Sequence, residues 1–104
     1  MFALNETAIL HASLGQRGGK PVYAEEGVTF ACRSEPAWAQ RFSGSAVERA
    51  ADTRIFARDV AAQPGDRIAL NGRNYRIAEV QPMCGWRGLH HLEILAKDEG
   101  VSDA

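Results

Sequence analysis

A small all-β barrel is the fold class this sequence predicts, on three observations. Asn71-Gly72 stands between two alternating runs, residues 67–70 and 75–80, and this dipeptide best tolerates the positive φ angles of a tight type I′ hairpin. Short β-prone runs recur along the chain with glycine-containing turns between them, the pattern of a barrel or sandwich. The chain has 104 residues, one domain on the usual scale of roughly 100–200 residues. At that size a chain hides about two-thirds of its extended surface, enough for one modest core.

The elements follow in order. Residues 7–13 (TAILHAS) read as a first strand in which Ile9 alternates with Leu10. Residues 14–20 (LGQRGGK) read as a turn whose flexible point is Gly18-Gly19. Residues 21–24 continue as a short edge strand, because the proline at 21 cannot donate to a central ladder. Residues 28–33 form a third strand, with Val28, Phe30 and Cys32 on one face and Thr29, Ala31 and Arg33 on the other. Residues 53–58 form a fourth, and the Asn71-Gly72 hairpin, entered through the turn chemistry of Pro64-Gly65-Asp66, adds two more. Residues 88–97 give a last, long strand. Its apolar face is His90, Leu92, Ile94 and Ala96, and Glu93 on the other face points to solvent or to an interface. The layout is a single barrel domain over residues 1–97 with six to seven strands, followed by a polar, acidic tail over 98–104 that is expected to fray.

Residues 36–52 resist this scheme. Ser45-Ala46-Val47-Glu48 has the spacing of a capping box, so residues 46–51 could make one or two helical turns. So short a piece does not hold itself together in water. A loose loop with a transient turn, a short helix packed on the barrel, and a strand running into Thr53 all fit. Connections longer than about 12–15 residues without structure of their own are usually functional or disordered. The candidate functional residues of this loop are Trp38, Arg41, Phe42, Gly44, Val47, Glu48, Arg49 and Asp52.

Composition excludes several function classes. A hydrophobic fraction of 45% and a charged fraction of 24% belong to an ordinary soluble protein. The net charge of −1, without a basic block, argues against a dedicated nucleic-acid binder. No apolar run approaches the roughly 18 residues of a membrane span, and the opening MFALNETAIL has no basic region of the export type. Two cysteines are too few for a disulfide scaffold and suit a reducing cytosol.

The chemistry-bearing residues are sparse. Cys32, Cys84, His90 and His91 have none of the usual zinc-ligand spacings, and adjacent strand histidines point to opposite faces. No metal, cofactor or enzymatic activity is therefore expected. Cys32 reads as a small core residue, His90 as half-buried, His91 as exposed, and Cys84 as a partly exposed turn residue. A cysteine nucleophile would need a base and an orienting group beside it. Trp38 and Trp86 read either as caps over the barrel ends or as anchors for a partner, Trp86 together with Arg87.

The order of the pieces carries a resemblance. Pro21-Val22-Tyr23, Ala31-Cys32-Arg33, the long variable loop, Thr53-Arg54-Ile55-Phe56, Pro64-Gly65-Asp66-Arg67-Ile68, Tyr75-Arg76-Ile77 and Gly88-Leu89-His90-His91-Leu92-Glu93 follow one another over residues 2–97. In this order and spacing the chain resembles the small minor capsid proteins of tailed bacteriophages, the head-completion or stopper proteins of the head–tail connector. Its loop departs from the family pattern, since residues 45–51 look more helical than the usual polar, glycine-rich connection. The resemblance implies a structural role in a phage or prophage. Such a protein is made in the bacterial cytoplasm as a monomer. It then joins the virion neck as a ring of its own subunits that closes the head exit after DNA packaging. Portal or adaptor proteins would lie on one side and tail proteins on the other, with transient contact to packaged DNA. Residues 38–52 would be the element facing the channel. A second reading is a small barrel that binds nucleic acid or another ligand, with Trp38, Arg41 and Phe42 as its exposed contacts.

Overall fold

The computed structural model describes residues 4–36, 51–85 and 88–101. The strands are β1 (Glu6–His11), β2 (Ser13–Arg17), β3 (Lys20–Tyr23), β4 (Val28–Pro36), β5 (Thr53–Ala57), β6 (Arg67–Leu70), β7 (Arg73–Gly85) and β8 (Gly88–Val101). Six of them close an antiparallel barrel in the order β1-β4-β5-β8-β7-β6, and β2 with β3 forms a separate two-stranded sheet. Closure comes from β1, which pairs with β4 along one edge and with β6 along the other, through Ile9↔Ala69, Leu10↔Ile68 and His11↔Arg67. The all-β barrel expected from the sequence is the fold, and the described residues contain no helix.

Alternation along the strands builds the core. Ala8 and Leu10 of β1, Cys32 of β4, Ile55 and Ala57 of β5, Ile68 and Leu70 of β6, Ile77 of β7, and Leu92, Ile94 and Ala96 of β8 turn inward and are buried. Fully burying one such branched side chain is worth about 1.5–3 kcal/mol, so this cluster is the main favourable contribution to folding. Side chains fill the barrel; it is not a pore. Val60, with Ala62 packed beside it, covers the end where β5 finishes and β6 begins.

Two turns set the register. Asn71 and Gly72 have φ of 54° and 76°, as a type I′ hairpin between β6 and β7 requires. At residues 63–66 the Asp66 amide donates to the Gln63 carbonyl at 3.1 Å, with Gly65 at φ 94° in the third position, as in a type II turn led by proline. The Asp66 side chain then does more than close the turn. It is only 7% exposed, and its two oxygens accept the Ser13 amide at 2.8 Å and the Gln63 amide at 3.1 Å. The backbone of Asp66 is paired as well, accepting the Ile77 amide at 2.9 Å. One carboxylate thus ties the β1–β2 junction to the turn that launches β6.

Several elements differ from the sequence reading. The first strand breaks at Ala12, and residues 13–17 form a strand of their own, so the turn expected over 14–20 shrinks to Gly18-Gly19. The β2–β3 hairpin leans over the outer wall of β6, where the Arg67 guanidinium carbon stands 4.1 Å from the centre of the Tyr23 ring. This contact, and the bond from the Ala24 amide to the Ala12 carbonyl at 2.9 Å, hold the hairpin away from a continuous β1 strand. Beyond Lys97, β8 continues to Val101 by pairing with β7, as in Asn74↔Gly100 and Arg73↔Val101, so residues 98–101 are strand and not frayed tail. Val28 lies at the open end of its strand and is 60% exposed, although it shares parity with Cys32.

Two substitutions test this frame. Gly72→Val should cost about 1–2 kcal/mol, because a β-branched residue would be forced into the left-handed region; the denaturant midpoint measures it. Asp66→Ala should cost about 3 kcal/mol, since it leaves two backbone amides without their charged acceptor. Matching stability of the alanine variant and the parent in urea would show that the carboxylate does not tie the junction.

Candidate assembly site at the barrel mouth

Glu6 begins β1 with the same parity as Ala8 and Leu10, so its side chain faces inward at one end of the barrel, here called the mouth. Its carboxylate accepts the Ser34 amide at 2.6 Å, the Ser34 hydroxyl at 2.9 Å and the Asn71 side-chain amide at 2.9 Å. These donors come from β4 and from the β6–β7 turn, so Glu6 draws three elements together. Burial alone would raise its pKa. The hydrogen bonds from the Ser34 backbone, the Ser34 hydroxyl and Asn71 outweigh that and hold the carboxyl below its usual range. Directly across the ladder, Cys32 is wholly buried. Burial, aided by the charge of Glu6, pushes its thiol up to about 11, so it is a neutral packing group near pH 7.

The mouth is also where the chain departs for residues 37–50. Pro36 pairs with Thr53, so β4 delivers the chain and β5 receives it at one rim. Asp52 anchors the return. Its amide donates to the Ala96 carbonyl at 3.0 Å, and its carboxylate accepts the Asp98 amide and the Thr53 hydroxyl at 3.0 Å each. Lys97 adds an ion pair at 3.5 Å. Asp52 is therefore tied to the rim by β8. Asp98 in turn holds Arg73 at 2.8 Å, and that bond, with the Gly100 amide, keeps the Asp98 carboxyl below its usual range. A hollow of about 350 Å³ opens among Ser34, Pro36, Asp52, Tyr75 and Asp98. Burial raises the pKa of the Tyr75 phenol, and the nearby Asp98, Asp52 and Glu6 carboxylates raise it further against the opposing Arg73 charge. The rim thus combines three carboxylates, two cations and a neutral phenol.

Of the sequence-predicted loop residues, Asp52 is the one described, and it serves as an anchor. Trp38, Arg41, Phe42, Gly44, Val47, Glu48 and Arg49 lie outside the described residues, as do the candidate partner residues Trp86 and Arg87 and the capping-box segment. Between Pro82 and His91 the β7–β8 ribbon pairs only within itself, beyond the end of β5, and so extends past the barrel. Cys84 on this ribbon is exposed.

The two histidines correct the sequence reading. His90 is exposed and His91 half-buried, the reverse of the expectation. The cause is a bulge: Met83 pairs with His91 and Cys84 with Leu89, so His90 is an extra residue and the alternation resets. Both rings then meet on one side, with their Nδ1 atoms 2.6 Å apart, instead of pointing to opposite faces. His91 also reaches Glu93 at 3.4 Å and packs against Phe56 at 5.9 Å between ring centres. Glu93 pairs with Arg54 at 3.7 Å, and Arg54 with Glu35 at 3.4 Å, which forms a cross-strand ladder over β4, β5 and β8 on the outer wall. Cys32 lies in the core while Cys84 and His90 are exposed, and among the described residues no three potential ligands gather around a metal position.

Sequence reasoning missed Glu6, Ser34 and Asp66. The signal for Glu6 was present, since a lone carboxylate continuing the inward parity of Ala8 and Leu10 needs donors around it. Because the Glu6 pKa is lowered by folding, its stabilisation is complete above the unfolded value and is lost as pH falls through the folded value. Glu6→Gln should therefore destabilise the protein by about 1–3 kcal/mol at neutral pH. The gap to the parent should close on acidification through the carboxylate range. Thermal melts of both proteins across that range measure it, and a gap independent of pH would remove the charge from the account.

No protein-family model matches the chain, and a search of the curated proteins finds no match.

Proposed function

We propose that this chain is a structural subunit of a phage or prophage head–tail connector, closing the head exit after DNA packaging and offering a docking surface to the tail. The observation that carries the reading is where β4 ends and β5 begins. Pro36 and Thr53, which flank a long connection in the sequence, pair at the polar mouth of a barrel that is itself filled. A long insertion at one rim of a stable scaffold is a suitable element for work outside the barrel. The order of strands, turns and motifs supports the reading through the resemblance described above. The polar rim and the protruding β7–β8 ribbon supply contact surfaces at opposite ends, as a protein held between two partners requires.

In this role the barrel is the rigid body of each subunit, and residues 37–50, with Trp38, Arg41 and Phe42 among them, close the channel when subunits meet in a ring. Trp86 and Arg87, between β7 and β8 in the sequence, meet a neighbouring protein. The isolated chain is a monomer at micromolar concentration and joins the ring on the partner.

The test complements a phage lacking the protein with a form shortened across residues 44–51. The shortened protein should fold and be found on heads, while DNA-filled particles fall to the level seen without any copy. Full heads at parental yield would remove this segment from closure. Addition of the purified intact protein to DNA-filled, tailless heads should restore tail joining, and heads that stay unjoined would overturn the connector role itself.

A further inference from the structure

Two features match each other and cannot meet within one chain, and both are rooted at the end of the barrel opposite the mouth; from there the hairpin runs back along β6, where Pro21 and Val22 share a hollow with Asn74 and Val101. The first is the β2–β3 hairpin. Every residue of β2 is exposed, Leu14 is 64% exposed, and the tip brings Arg17 and Lys20 into cross-strand pairing around Gly18-Gly19. Among the described residues neither strand of this sheet pairs with a third. The second is a hollow of about 400 Å³ between β1, the start of β4 and the segment after β5. Leu10, Val28, Phe30 and Val60 give it an apolar floor, and Glu26 and Asp59 stand at its rim. An apolar knob followed by two cations faces, in chemical terms, an apolar hollow flanked by two carboxylates.

The hairpin does not reach the hollow of its own chain. Its base is fixed by the Ser13 amide on Asp66 and by the Ala24 amide on the Ala12 carbonyl, and Tyr23 is stacked on Arg67 on the β6 side. Arg17, Lys20, Glu26 and Asp59 take part in no ion pair among the described residues.

We infer that the β2–β3 hairpin docks on a second copy of this chain, placing Leu14 in the Leu10–Val28–Phe30–Val60 hollow and setting Arg17 and Lys20 against Glu26 and Asp59. The occupant is a second copy because both complementary surfaces belong to one sequence and are held apart within one molecule. The two patches are different, so the contact is head-to-tail. A repeated head-to-tail contact closes into a ring or runs on as a filament. The inference deepens the ring assembly proposed above by naming its subunit interface.

A charge swap in the purified full chain tests it. One variant carries R17E and K20E, the other E26K and D59K, and circular dichroism melts establish that each is folded. Sedimentation velocity at millimolar concentration should show the parent associating and each variant alone as a monomer. In the equimolar mixture each hairpin again faces a hollow of opposite sign, and association should return. A parent that stays monomeric at millimolar concentration, variants that associate like the parent, or a mixture that stays monomeric would each overturn the interface. These outcomes are separable from the connector role. Parent association that survives both variants identifies another subunit contact, while tail joining on isolated heads tests the role without reference to this interface.

Discussion

Closure of the barrel rests on β1 being hydrogen-bonded along both edges, and that in turn rests on Asp66. Without the β1–β6 ladder the sheet would be an open, strongly twisted ribbon with two free edges and one wet face. Asp66 sits where the seam is decided. Its carboxylate grips the Ser13 amide just past β1, and its backbone pairs with Ile77 while β6 begins one residue later. A hydrogen bond to a charged group is worth about 1.5–3 kcal/mol, and the Asp66 side chain accepts two of them. The half-buried Glu35–Arg54–Glu93 ladder on the outer wall joins β4, β5 and β8, away from the β1–β6 seam. That ladder favours the correct neighbours without holding the barrel shut.

The same logic applies at the mouth. Glu6 continues the inward face of β1 beyond the apolar core, where a further aliphatic residue would meet solvent. A carboxylate there is tolerated because Ser34 and Asn71 supply three donors. Polar closure at one end and apolar closure by Val60 and Ala62 at the other give the barrel a direction. Residues 37–50 are inserted at the first end, and the β2–β3 hairpin and the β7–β8 ribbon leave from the second.

Local signals made the frame legible. Asn71-Gly72 announced its turn type, and the alternation in residues 67–70 and 92–96 identified inward faces that the barrel uses. What could not be read had non-local causes. Whether residues 13–17 formed a turn or a strand depended on where Tyr23 found a cation, and Arg67 lies far along the chain. The histidine faces depended on a bulge set by the register of the opposite strand. The end of β8 depended on pairing with residues 73–76, which outweighs the acidic character of Asp98 and Glu99. Of the candidate site, Asp52 was identified by position, but its anchoring role required β8 to be in place.

Closure also determines how the molecule answers a pull. In an open sheet a terminal strand can be peeled away one hydrogen bond at a time, so little force is needed. In this barrel β1 has a ladder on each side, and tension along the strands loads both ladders at once, in shear. The barrel is thus mechanically stiff along its strands and softer where a ribbon pairs only within itself, as β7 and β8 do between Pro82 and His91. Stress applied between its two ends is borne by the closed wall.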